Sequence, residues 1–154
     1  MAQVLIIGYG NPLRSDDGLG WYAAQELASC LQDPELEVMV RHQLTPELAE
    51  DASRFQLVIF IDAAADLRPG ELRCQKIARG GKREGSEASS FSHFLTPASL
   101  LAWTAELYGK FPDAYCISVG GESFAEGESI SPTVKAAFQP LLAQVRSLLA
   151  GRCS

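Results

Sequence analysis

The feature that most constrains the fold is a short apolar run that passes into a glycine-rich turn and then into two acidic residues. The run Val4–Ile7 contains β-branched residues and is bounded by glycine, which is typical of a buried strand. The turn Gly8–Pro12 follows, and Asp16-Asp17 then open a predicted helix, because acidic side chains accept hydrogen bonds from the free N–H groups of a first helical turn. Carboxylates where a strand passes into a helix lie where ligands bind in open α/β sheets.

The rest of the chain alternates between predicted strands and predicted helices. The predicted strands are Leu36–Val40, Gln56–Ile61, Glu71–Ala78 and Tyr115–Val119. The predicted helices start at Thr45-Pro46, Thr96-Pro97 and Ser131-Pro132, and Pro140 is expected to bend or split the last one. This alternation predicts an α/β fold: a three-layer α/β/α sandwich with a mostly parallel, twisted sheet of about five strands and helices on both faces. A polar loop is predicted over Arg79–Ser90, and residues 1–154 are predicted to form a single domain.

Composition and charge exclude several classes of function. A net charge of −6 argues against a nucleic-acid partner, because phosphate binding needs clustered Lys and Arg. No apolar run approaches the roughly 20 residues of a membrane helix, and the first residues lack the pattern of a signal peptide, so no membrane partner is expected. The four cysteines are scattered without a Cys-x-x-Cys pair, which predicts reduced thiols and a cytoplasmic location.

Polar residues at the ends of predicted strands are the candidates for chemistry. Asp62 directly follows the most apolar short run of the chain, and a buried carboxylate is unfavourable unless it is paired or bound to a cation. His93 lies between a polar loop and a helix, and His42 follows a strand. Carboxylates such as Asp17 and Asp62 with one imidazole would form a mixed oxygen and nitrogen site that suits nickel or zinc. The alternatives are acids that cap helices or turns and a structural histidine.

The sequence argues against two other kinds of site. The dinucleotide fingerprint Gly-x-Gly-x-x-Gly is incomplete after Gly8-Tyr9-Gly10, because Leu13 takes the third glycine position. There is no Gly-x-Ser-x-Gly nucleophile motif, and no cysteine has an obvious basic neighbour that would activate it.

Several motifs, in order along the chain, carry a resemblance to a known family. The first is Gly8-x-Gly10-Asn11-x-Leu13-x-x-Asp16-Asp17-Gly18-x-Gly20, and it resembles the N-terminal signature of the [NiFe] hydrogenase maturation endopeptidases. The strand that ends in Asp62-Ala63, with Pro69-Gly70 after it, resembles the second motif of that family. Ser90-x-x-His93, with Leu100-Leu101 downstream, resembles the third, and the segment from Gly127 to Ser131 precedes the last helix.

The resemblance implies an activity and a set of site residues. These endopeptidases remove a C-terminal extension from the precursor of the hydrogenase large subunit after nickel has been inserted there. The resemblance places the metal-contacting acid at Asp17, the second acid at Asp62 and the imidazole at His93, with Asp16 in support. Nickel would arrive with the substrate and serve as a recognition mark, and Asp17 or Asp62 is available as a general base.

Within the first motif, Gly10 and Asn11 are supporting residues of the expected site. The family often has a glycine-rich stretch after the second strand, whereas this chain has Arg41–Pro46. We expect that loop to border the cleft, with His42 as a substituted contact.

Two other functions compete with the endopeptidase. A non-enzymatic nickel-binding maturation chaperone would use the same three ligands and leave the precursor uncut. Gly8-x-Gly10-Asn11-Pro12 also resembles the opening of the peptidyl-tRNA hydrolases, but Asp16-Asp17-Gly18 does not fit that family, and a pI of about 4.9 is unfavourable for tRNA binding.

Overall fold

The computed structural model describes residues 3–78 and 95–151. Within these residues the strands are β1 (Val4–Tyr9), β2 (Leu36–Arg41), β3 (Leu57–Ala64), β4 (Leu72–Lys76) and β5 (Asp113–Gly120). The α-helices are α1 (Leu19–Cys30), α2 (Leu48–Ala52), α3 (Pro97–Tyr108), α4 (Pro132–Lys135) and α5 (Phe138–Gly151), and a 3-10 helix spans Ser15–Gly18. None of the helices in the described ranges is both long and apolar enough to span a membrane.

The five strands form one sheet in the order β2-β1-β3-β5-β4. The first four strands in this order, β2, β1, β3 and β5, are mutually parallel. Strand β4 pairs with β5 in the antiparallel direction at the sheet edge. Strand β4 runs antiparallel because no helix lies between Ala64 and Leu72. A parallel strand would need such a crossover to return the chain to the other end of the sheet. The predicted α/β class with a mostly parallel sheet is confirmed.

Helices cover both faces of the sheet, and each face has its own apolar core. On one face, α1, α4 and α5 pack through Leu19, Leu27, Val134, Leu141 and Val145 against strand residues Val4, Ile6, Ile59, Ile61, Ile117 and Val119. On the other face, α2 and α3 pack through Leu48, Leu100 and Leu101 against Leu5, Ile7, Val58, Phe60 and Ala114. Because alternate strand residues point to opposite faces, this division confirms the predicted three layers. The single-domain assignment of residues 1–154 stays a prediction.

Two of the predicted boundaries near the candidate site are wrong. Strand β3 does not end before Asp62 but continues to Ala64, because Asp62–Ala64 pair with Ser118–Gly120 of β5. Asp16 and Asp17 do not open an α-helix: they lie in the 3-10 helix, α1 begins at Leu19, and no side chain caps either helix. The two carboxylates therefore do not cap a helix, and they accept hydrogen bonds from other parts of the chain.

The predicted helix starts are confirmed in part. Thr96 and Ser131 are N-caps, as predicted, and accept hydrogen bonds from Ser99 N and Val134 N at 3.1 and 3.4 Å. Thr45 is not a cap, because α2 begins only at Leu48. The last helix is split before Pro140, since a proline ring conflicts with the carbonyl four residues earlier. The loop predicted over Arg79–Ser90 begins at the end of the first described range and lies outside it.

Close packing of α1 on the sheet depends on Gly20. A β-carbon at this position would overlap the backbone oxygens of Ile61 and Tyr9. Since neither backbone atom can move aside freely, α1 would have to shift away from β1 and β3.

We expect Gly20→Ala to lower the free energy of unfolding by about 1–3 kcal/mol, the usual range for overpacking a well-packed core. Urea unfolding followed by circular dichroism measures the change. Gly151→Ala is the control, because a β-carbon there meets no atom within 4 Å. An unfolding midpoint equal to that of the unchanged protein for Gly20→Ala would contradict the packing argument.

Candidate active site

A cleft of about 580 Å³ lies at the carboxyl ends of β1, β2 and β3. Its lining consists of Tyr9, Gly10, Asn11, Arg14, Asp17, His42, Gln43, Leu44, Asp62, Ala63, Leu95 and Phe124. The cleft therefore brings together Asp17, Asp62, His42, Gly10 and Asn11 among the residues singled out in the sequence. It does not include Asp16.

Asp62 is held by side chains from the two strands beside it. Its Oδ2 accepts a hydrogen bond from the Tyr9 hydroxyl at 2.8 Å, and its Oδ1 accepts one from the Ser118 hydroxyl at 2.7 Å. Burial raises the pKa of Asp62, and the two hydrogen bonds and the charge of Arg73 offset only part of that rise. Burial thus makes the ionised form of Asp62 less favourable than it is in water.

A row of polar side chains crosses the sheet at Asp62. Ser118 pairs with Asp62 on one side and with Arg73 of β4 on the other. Gly8 pairs with Ile61, so the register places Tyr9 beside Asp62. Sequence reasoning missed Tyr9, Ser118 and Arg73, because they lie on three different strands and only the strand register brings them together.

Arg73 supplies a positive charge at the outer end of this row. Its Nη1 lies 3.0 Å from Asp66 Oδ2, and its Nε is buried with no hydrogen-bond partner among the described residues. The hydrogen bond from the Arg73 guanidinium lowers the pKa of Asp66. Arg73 also favours the ionised form of Asp62 without a hydrogen bond to it in the described structure.

Asp17 lines the same cleft and lies in the 3-10 helix. Its Oδ2 accepts a hydrogen bond from the backbone N–H of Asn11 at 3.0 Å, and the Asn11 side chain accepts one from Leu13 N at 2.9 Å. Gly10 has a φ of +151°, and a β-carbon there would overlap the Asp17 carbonyl oxygen. The glycine-rich turn therefore positions the Asp17 carboxylate.

Asp16 has a different role from its neighbour. It is fully buried, and its carboxylate accepts hydrogen bonds from the backbone N–H groups of Glu122, Ser123 and Ser131 and from the Ser131 hydroxyl, at 2.8–3.0 Å. Burial opposes ionisation, but these hydrogen bonds outweigh it and hold the pKa of Asp16 below its ordinary value. Asp16 therefore anchors the loop between β5 and α4.

Backbone hydrogen bonds join the same loop to the turn after β1. Ser15 N donates to Gly127 O at 2.7 Å, Gly127 N donates to Leu13 O at 2.9 Å, and Asp16 N donates to Ser123 O at 2.9 Å. Phe124 lies within this loop and lines the cleft. The two segments, far apart in sequence, thus form one wall of the cleft.

The histidines differ in what the structure describes of them. His42 lines the cleft and contacts Trp21 edge to face, with ring centroids 5.0 Å apart. His93 lies outside the described residues, two positions before Leu95, which lines the cleft. Within the two described ranges, no group of three or more His, Cys, Asp or Glu side chains is arranged to hold a metal ion.

The cysteines are free thiols at the three described positions, Cys30, Cys74 and Cys116. Cys116 lies 3.9 Å from Asp62 Oδ1, where burial and the nearby carboxylate raise the pKa of the thiol well above its usual value. A thiol that keeps its proton is a poor nucleophile. Cys116 is therefore not a candidate nucleophile.

Comparison with solved structures places this fold among known ones. The hydrogenase maturating endopeptidase HybD from E. coli superposes with a TM-score of 0.77 and 22% identity, over 97% of this chain and 93% of that one. The [NiFe] hydrogenase maturation protease HycI from Thermococcus kodakarensis KOD1 gives 0.76 and 23%, over 97% and 93%. The hydrogenase 2 maturation peptidase from Thaumarchaeota archaeon SCGC_AB-539-E09 gives 0.72 and 25%, over 96% and 98%.

Sequence comparison alone does not reach these proteins. No protein-family model matches the chain, and no curated protein matches it. At this level of identity the structural likeness establishes the fold, and it confirms the resemblance that the motifs indicated. The chain therefore has the fold of the [NiFe] hydrogenase maturation proteases.

Proposed function

We propose that this protein is a cytoplasmic endopeptidase that removes the C-terminal extension from the nickel-loaded precursor of a [NiFe] hydrogenase large subunit. The observation that carries the proposal is the presence of Asp17 and Asp62 in one cleft of a fold shared with named maturation endopeptidases. The motifs that resemble that family include both of these residues.

In this proposal the nickel ion belongs to the substrate. Asp17 and Asp62 contact it with carboxylate oxygens, and His93 contributes an imidazole nitrogen, a ligand set that suits a borderline divalent ion. The raised pKa of Asp62 supports this role, because a cation restores the stabilisation that the carboxylate loses on burial. His42 borders the same cleft and contacts the substrate near the metal.

Asp17 and Asp62 are also the candidates for the general base of the hydrolysis. A water molecule gives a proton to one of these carboxylates while its oxygen bonds to the scissile carbonyl carbon. The carbon–nitrogen bond then breaks, and the proton passes to the leaving nitrogen. No covalent nucleophile of the protein is required.

The decisive experiment compares nickel-loaded and nickel-free precursor of a large subunit. We expect mass spectrometry to show loss of the C-terminal extension only from the loaded precursor. His93→Ala is expected to lower the cleavage rate by about 100-fold, since ligand and acid–base groups contribute 10²–10⁴-fold.

Two results would contradict the proposal. Binding of the loaded precursor without any change in its mass would indicate the nickel-binding chaperone. Cleavage of both precursors at the same rate would remove nickel from the account.

A further inference from the structure

We infer that Tyr9 and Ser118 are positioning residues for Asp62: their hydroxyls hold the two carboxylate oxygens and fix the orientation in which Asp62 faces the cleft. This inference rests on the proposed function for its kinetic consequence. Its structural part concerns only the geometry of the three side chains. Tyr9 stands at an unspecified position of the first motif that resembles the endopeptidase family, and Ser118 lies outside the motifs.

The geometry of the contacts carries the inference. The hydroxyls approach Asp62 from opposite sides, Tyr9 from β1 at 2.8 Å and Ser118 from β5 at 2.7 Å, and each bonds a different oxygen. Two hydrogen bonds to two oxygens define the carboxylate plane, whereas one would leave it free to turn. Both distances are typical of well-formed O–H···O hydrogen bonds.

The arrangement leaves room for a ligand. An ionised carboxylate has about four acceptor sites, and the two hydroxyls take one on each oxygen. The Cys116 thiol approaches Oδ1 only at 3.9 Å and is a weak donor. Asp62 lines the cleft, so the remaining capacity is available to a cation or a water molecule there.

The strand register explains why these hydroxyls can hold the orientation. Asp62 and Ser118 are directly paired residues of parallel strands, and β3 lies between β1 and β5 in the sheet. Ser118 is almost fully buried at 4% exposure. Positions fixed by a central sheet vary less than positions on loops, which is the condition for a precisely oriented ligand.

The experiment uses Tyr9→Phe and Ser118→Ala in the full chain. We expect each to lower kcat/KM on nickel-loaded precursor by about 10- to 100-fold, the usual effect of removing a residue that orients a ligand. Ser118→Thr, which keeps the hydroxyl, is expected to recover most of the activity. Tyr115→Phe is the matched control, because Tyr115 lies on the same strand but packs against the other core. Thermal unfolding checks that each variant is folded.

Crystal structures of the two variants separate this inference from the proposed function. We expect the Asp62 carboxylate to rotate when either hydroxyl is removed. A carboxylate that keeps its orientation in both variants overturns the inference, whether or not any precursor is cleaved. Wild-type kcat/KM in both variants overturns it as well. If the unchanged protein cleaves no precursor, the proposed function fails, and the carboxylate orientation alone decides the positioning role.

Discussion

Asp16→Ala is expected to lower the free energy of unfolding by about 3–5 kcal/mol, since each buried donor left without a partner costs about 1–3 kcal/mol. The buried carboxylate of Asp16 accepts hydrogen bonds from three backbone N–H groups and one hydroxyl. Alanine supplies no acceptor, and the loop between β5 and α4 is too constrained by its backbone bonds to turn these donors outward. Urea unfolding measures the loss.

Asp17→Asn is the matched control for this prediction. Among the residues that the structure describes, the Asp17 carboxylate accepts one hydrogen bond, which the asparagine oxygen can still accept, so a change below about 1 kcal/mol is expected. The pH dependence gives a second check. The pKa of Asp16 lies below its ordinary value, so its contribution is complete above pH about 4 and is lost as the pH falls through the folded-state pKa. A stability difference between Asp16→Ala and the unchanged protein that grows on acidification would contradict the assignment.

Asp62→Asn is expected to lower kcat/KM on nickel-loaded precursor by about 10³-fold, within the range that a positioned acid–base group contributes. The amide has nearly the same shape but neither the charge that a metal favours nor the basicity that water activation needs.

The stability of the Asp62→Asn variant, in contrast to its activity, is not expected to fall. Because burial raises the pKa of Asp62, the ionised carboxylate is unfavourable in the folded protein at neutral pH. The variant is therefore expected to be at least as stable as the unchanged protein.

Asp113→Asn is the control for the activity measurement. Asp113 begins β5 at the opposite end of the sheet and is exposed, so its loss should leave cleavage unchanged. An Asp62→Asn variant that cleaves at the normal rate would show that this carboxylate takes no part in the reaction. A variant that is inactive because it has unfolded would contradict the expected stability.

The parts of the fold predicted from sequence are those with strong local signals. The apolar run before Asp62 and the Thr96 and Ser131 caps each act within a few residues, and the structure has a strand or a helix at each place. The strand runs past its predicted end at Asp62 because the next residues pair with Ser118–Gly120, a pairing that the sequence does not display.

The candidate site shows the same division. Asp17 and Asp62 were found because acids at the carboxyl edge of a parallel sheet are conspicuous, and their chemical roles stay predictions. Asp16 looked like a helix-capping residue because its partners, at Glu122, Ser123 and Ser131, are more than a hundred residues away. Such contacts follow from tertiary packing, and no spacing rule along the chain can reveal them.

The pairing of the β5–α4 loop with the turn after β1 has a consequence for how a partner protein enters. Hydrogen bonds join the β5–α4 loop, which contains Phe124, to Leu13, Ser15 and Asp16. All of these hydrogen bonds would have to break before this wall of the cleft could move. We therefore expect any induced fit to involve lining residues outside this wall, such as Gln43 and Leu95. The proposed precursor would then meet one wall of the cleft that keeps its shape during docking.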